Sequence, residues 1–168
     1  MAESLLIKAF RYNRWANLHL LDVCAGLPEH QLRLTADGTY GSIAATFQHL
    51  LGAEQRYIRR LAGIEPRVSE KDPFPGIATL TKEAEQSGDR LIELAATVTS
   101  EDAIDDPQRL TPYSHLDAWV VLIQALHHGN DHRTHICTIL GTHAIDYGDM
   151  DVWAYGRSLG AAAVPATA

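Results

Sequence analysis

The segment Leu126-His127-His128-Gly129-Asn130-Asp131-His132-Arg133-Thr134-His135-Ile136 limits what this chain can become more than any other. Four of the nine histidines fall within it. The residues before it, from Trp119 to Leu126, are almost all apolar, and those after it, from Ile136 to Leu140, are mostly apolar. That pattern predicts one long helix with a polar interruption. With about 100° of turn per residue, His128, His132 and His135 fall within roughly 60° of one another, on the side of Val121, Ala125, Ile136 and Ile139. These imidazoles therefore point at a face that should be buried. A buried polar group without a partner costs about 1–3 kcal/mol. A metal ion would supply the partner, and two histidines one helical turn apart can reach the same ion. His127, Asp131, Thr134 and Thr138 trace a different, solvated face, so His128 and His132 are preferred to His127. An HxxxH pair alone is equally compatible with histidines hydrogen-bonded in a core or lying at the surface. A third ligand is needed to separate these readings.

The rest of the chain offers one candidate, His49, though a lone histidine on an apolar helix edge is more often a satisfied core residue. A first helix is expected from Ser4 to about Ala25, with Leu6, Ala9, Phe10, Ala16, Leu20 and Val23 at helical spacing. Gly26 and Pro28 end it. Asn13 falls on its apolar side and must find hydrogen bonds there. Either a bond between helices or a bond behind a metal ligand would satisfy it. Ser42 reads as an N-cap for a second helix from Ile43 to Leu61, with Ile43, Phe47, Leu50, Ala53, Tyr57 and Leu61 inward. His49 lies beside that stripe, about two turns in. If the second and last long helices run antiparallel, His49 stands level with His128 and His132. Glu54 is about 140° around the helix from His49, so it should point away, to a salt bridge or a dimer contact.

Pro66, Pro73 and Pro75 make residues 63–76 a loop. A third helix should run from Leu80 to Val98. Ser114, with Asp117 three residues on, resembles a capping box for the fourth helix, which runs to Leu140 with Gly141 just beyond it. Asp151 to Leu159 should form a short fifth helix. No stretch alternates as a strand does. The expectation is an all-α fold: a four-helix bundle with long crossover connections and a short C-terminal helix, in one domain over 1–168.

A chain of 168 residues buries enough surface to fold without a metal or disulfide, which makes a metal here functional rather than a staple. The net charge of −7 and the lack of a basic cluster argue against nucleic-acid and anionic-membrane partners. Cys24 and Cys137 form no CxxC motif, which suits a reducing compartment. Cys137 lies roughly 180° from His128, too far around the helix to share an ion. No signal peptide and no run of about 18 apolar residues is seen. A cytoplasmic protein is expected.

Three motifs together resemble one family. Tyr12-Asn13-Arg14-Trp15-Ala16-Asn17, then Ser42-Ile43 leading to His49-Leu50-Leu51-Gly52-Ala53-Glu54, then His128-xxx-His132-Arg133 are similar to signatures of the DinB/YfiT-like proteins. Asp151-Val152-Trp153-Ala154-Tyr155 resembles their usual C-terminal segment. The resemblance implies a four-helix bundle, one divalent ion on His49, His128 and His132, and a homodimer. It also brings in characterised relatives that are thiol-dependent S-transferases or a mycothiol-dependent isomerase. One departure matters: Thr134 and His135 stand where the family often has Gly-Gln. His135 would then either support a ligand from behind or close the site as a fourth ligand.

Three imidazoles leave a divalent ion its full charge and open positions, as in catalytic zinc sites. Such an ion makes a nucleophile of water or a thiol at neutral pH. Zinc and nickel are the preferred ions, and iron and copper also suit imidazole donors. Three readings stand: a metal-dependent thiol transferase or hydrolase acting on a small electrophile, a non-catalytic metal-binding or stress-response bundle, and a bundle with no metal. Tyr12, Tyr57, Tyr113 and Asp131 are candidate polar neighbours of the ion.

Overall fold

The computed structural model describes residues 3–104, 113 and 115–163. In chain order it holds α1 (Leu5–Ala25), a 3-10 turn (Gln31–Arg33), α2 (Ile43–Ala62), α3 (Ile77–Thr97), α4 (Ala118–Thr142) and α5 (Val152–Ser158). Among the described residues the only strand-like pairing is an isolated bridge between Ala103 and Asp117. The fold is an all-α bundle with a short C-terminal helix.

Local chemistry sets the ends of these helices. Ser4, Ser42 and Asp151 each accept a hydrogen bond from a backbone N–H three residues on, and so cap α1, α2 and α5. Gly63, at φ 69°, takes the left-handed conformation that closes α2. Two boundaries differ from the sequence pattern. The third helix starts at Ile77 rather than Leu80, directly after Gly76 at φ 88°. Gly141 is helical and α4 continues to Thr142; the left-handed residue past its end is Ala144, at φ 55°. Ser114 lies outside the described residues, and Asp117 occupies the N-cap of α4 without a side-chain bond to the helix.

Which ends of the helices share a core fixes the topology. One cluster joins Leu20, Leu21 and Cys24 of late α1 with Ile43 and Phe47 of early α2, Ile77 and Leu80 of early α3, and Ile136, Ile139 and Leu140 of late α4. The other joins Phe10, Ile58, Leu91, Leu94, Leu122 and Ala125, from the opposite ends. So α1 and α4 run one way and α2 and α3 the other. α1 packs on α3 and α4, as does α2, which puts α1 and α2 on a diagonal. Only the α2–α3 connection must travel the length of the bundle, about 30 Å for a helix of this size. Residues 63–76 make that crossing as an extended strap laid back along α2.

The strap is pinned. Gln55 Oε1 accepts from the backbone N–H groups of Arg67 (2.6 Å) and Val68 (2.9 Å). Two turns earlier on α2, Gln48 Nε2 donates to the carbonyls of Ser69 (2.7 Å) and Asp72 (2.9 Å). Gly52 lies between them, and a Cβ there would sit 3.2 Å from the Val68 carbonyl oxygen. The bundle thus holds two buried glutamines for a backbone purpose that helical periodicity does not announce.

Candidate metal centre

α2 and α4 are antiparallel, so His49 comes level with His128 and His132. One nitrogen from each lies within 4.8 Å of the others, a group that could hold a metal ion. The Nε2 atoms of His49 and His128 are 3.1 Å apart. That is near the edge, about 3.3 Å, of a tetrahedron with metal–nitrogen bonds of 2.0–2.1 Å. The His49 and His132 ring centroids are 4.5 Å apart, those of His128 and His132 4.3 Å. His132 is buried, and His49 and His128 are half-buried.

The electrostatics suit a cation. Burial, reinforced by the neighbouring His132, His49 and Arg56, lowers the His128 pKa to about 3. Burial, reinforced by His49 and His135, lowers that of His132 to about 4. Both rings are neutral at pH 7 and present lone pairs. The Nδ1 atoms of His128, His132 and His135 are buried without a hydrogen-bond partner. A cluster of neutral, under-bonded imidazoles is what a divalent ion requires of its ligands, and these residues fit one.

The other histidines separate cleanly. His127 is exposed and pairs through Nδ1 with Asp131 Oδ2 at 3.0 Å, on the solvated face. His135 stands edge-on to His132, with centroids 5.3 Å apart. Cys137 faces away from the cluster, into a cleft with Tyr12 and Arg133. Burial raises its pKa to about 11 and that of Cys24 to about 12, so neither thiol is a nucleophile at neutral pH.

Asn13 belongs to a second polar cluster. Its Nδ2 donates to Glu54 Oε1 (2.8 Å), as does that of Asn17 (2.9 Å). Arg133 NH1 donates to the Oδ1 atoms of both asparagines, at 2.7 and 2.8 Å. Two amides therefore bridge a carboxylate and a guanidinium across the centre of the bundle. Glu54 does turn away from His49, but it enters the core and is fully buried there, rather than reaching a dimer contact. The physical reason is the diagonal packing of α1 and α2, which leaves α2's third face looking at Asn13 and Asn17. Burial raises the Glu54 pKa, against the asparagine bonds and Arg133.

Among the expected polar neighbours, Tyr57 meets His128 edge-on at 5.8 Å, whereas Tyr12 hydrogen-bonds Met150 and Tyr113 is exposed. Two neighbours came from outside the helices, where periodicity carries no signal. The Tyr40 ring stacks on His49 at 4.0 Å and meets His132 edge-on at 5.1 Å. Glu70, on the strap, places Oε1 2.9 Å from His49 Nδ1, within ion-pair distance though off the line of a good hydrogen bond.

An antiparallel helical bundle with three converging imidazoles defines a class: all-α proteins with a candidate metal centre between two helices. The chain belongs to the DinB family, whose sequence model matches residues 1–157. No curated protein sequence matches it. No helix among the described residues is long and apolar enough to cross a membrane.

Proposed function

We propose that His49, His128 and His132 hold one divalent ion, zinc or nickel by preference, and that the protein uses it to transfer a small thiol to an electrophile or to hydrolyse one. The carrying observation is the convergence of the three imidazoles, two of them held neutral by burial. When bound, the ion supplies a Lewis acid that lowers the pKa of water or thiol. The chain supplies three donors from two helices, and three protein donors leave a four-coordinate ion one position for a further ligand. His49, part-exposed, is the side from which a small molecule would approach.

A non-catalytic reading is favoured by one feature: His135, with its unpartnered buried Nδ1, stands next to His132. Its recruitment as a fourth donor would close the site. Elemental analysis of untagged protein tests the metal, and His128→Ala should lose stoichiometric metal while keeping its helical spectrum. His127→Ala should keep the metal. Retention in His128→Ala, or loss in His127→Ala, sinks the ligand set. A thiol-consumption assay with metal-loaded protein and small electrophiles separates the two readings.

We also propose that the protein forms a homodimer, as the family resemblance implies. Trp119 (46% exposed) and Ile123 (49%) on α4, with Trp153 (71%) on α5, give apolar surface for a second copy. Light scattering at micromolar concentration should give twice the 18.5 kDa chain mass. A monomer throughout that range rejects it.

A further inference from the structure

The strap does more than connect α2 to α3. Gln48 and Gln55 grip its backbone at Ser69, Asp72, Arg67 and Val68. His49 and Arg56 are the next residues along α2, one position on from each glutamine. Their side chains meet Glu70, the strap residue that follows Ser69 within the Gln48 grip. Its Oε1 lies 2.9 Å from His49 Nδ1 and 3.4 Å from an Arg56 guanidinium nitrogen. Its Oε2 accepts a 2.6 Å hydrogen bond from the Tyr40 hydroxyl. Tyr40 also lays its ring on the His49 ring, 4.0 Å away. The imidazole is therefore faced by Tyr40, and a carboxylate that Tyr40 itself orients stands beside its rear nitrogen at ion-pair distance.

From this arrangement we infer that Glu70 is a positioning residue for His49. It fixes His49 as the Nδ1–H tautomer, with the Nε2 lone pair turned into the three-histidine cluster, and Tyr40 locks it in place. A carboxylate behind a ligating histidine orients the ring and strengthens it as a donor. The inference deepens the metal reading and rests on it for its affinity consequence, but its tautomer consequence stands alone. With the proton of His49 on Nδ1, its Nε2 accepts. The single proton between the two facing Nε2 atoms, 3.1 Å apart, then belongs to His128. Glu70 is exposed and Arg56 half-exposed, so nothing in the core requires this carboxylate.

The test uses the full chain, metal-free and then titrated with zinc against a chelator. In the metal-free protein, two-bond 15N–1H correlations of the histidine rings should show His49 as Nδ1–H. Glu70→Ala should let it exchange between tautomers. Glu70→Gln, whose amide oxygen still accepts from Nδ1–H, should restore the wild-type pattern. Zinc affinity should fall roughly ten- to hundredfold in Glu70→Ala, with a smaller loss in Tyr40→Phe and in Glu70→Gln. Thermal unfolding of the metal-free variants checks that the strap remains seated. An Nε2–H His49 in the wild type, or unchanged zinc affinity in Glu70→Ala, overturns the inference. If wild-type protein takes up no stoichiometric metal, the proposed function fails, and the tautomer measurement still decides the role of Glu70.

Discussion

His132 and Arg133 are neighbours on α4, yet they enter polar clusters of opposite character. Arg133 enters a closed one. Its guanidinium, two asparagines and Glu54 are almost wholly buried, and four hydrogen bonds of 2.7–2.9 Å join them. His132 enters an open one, where neighbouring imidazoles face each other and the Nδ1 atoms of His49, His128, His132 and His135 lack a hydrogen bond. Both clusters desolvate polar groups, which destabilises a fold unless partners compensate. The first finds its partners within the chain except at Glu54 Oε2, which is buried without a hydrogen bond. The second is short of them, and burial has lowered the pKa values of His128 and His132 to about 3 and 4. The arginine network completes most of its bonding within the chain, whereas the histidine cluster leaves imidazole nitrogens open to a ligand.

The largest effect expected from breaking that contrast is at Arg133. Arg133→Ala strips the donors from two buried asparagine oxygens and leaves the buried Glu54 uncompensated. Loss of one partner of such a buried pair costs about 3–5 kcal/mol. Urea unfolding should show it, with metal affinity changing only as the fold is lost. An unfolding midpoint equal to wild type would mean that the network is not structural.

Gly129 sits between the two clusters. A Cβ there would lie 2.7 Å from Asn13 Oδ1 and 2.9 Å from Arg133 NH1, inside normal contact distance. Alanine gains about 1 kcal/mol in helix propensity over glycine. Here it must displace two atoms locked by hydrogen bonds, and overpacking of that kind costs about 1–3 kcal/mol. Gly129→Ala should therefore be net destabilising by about 1 kcal/mol, read from the same urea curves. A gain in stability would show that the asparagine–arginine network yields easily.

A separate expectation concerns pH and the open cluster. In metal-free protein His128 and His132 have pKa values of about 3 and 4 when folded. Unfolded, both return to about 6.5. Below pH 6.5 the unfolded chain therefore binds protons that the folded chain does not, and stability falls as the pH drops towards 4. His128→Ala should flatten that dependence. Unfolding midpoints at pH 7.5 and 5, compared between wild type and variant, check it; equal losses would place the acid sensitivity elsewhere.

Periodicity was sufficient for the helices and for the histidine face. The 3.6-residue repeat places His128 and His132 on the side of Val121, Ala125, Ile136 and Ile139, and it puts His127 with Asp131 in solvent. It also placed Asn13 inside. It could not say what Asn13 met, because Glu54 and Arg133 approach it from helices 41 and 120 residues away. Tyr40 and Glu70 were missed altogether, since both sit in connections where no repeat constrains a side chain.

The sequence by itself determined the number of helices, their inward faces and which histidines could share an ion. Those properties are local: each depends on residues within a few turns of one another and on the water-avoiding stripe they build. The direction of each helix, the diagonal pairing of α1 with α2 and the course of the strap were decided only in three dimensions. They follow from how four stripes close on one another, and from a connection that must run the length of the bundle. That crossing is what carries Glu70 back to His49.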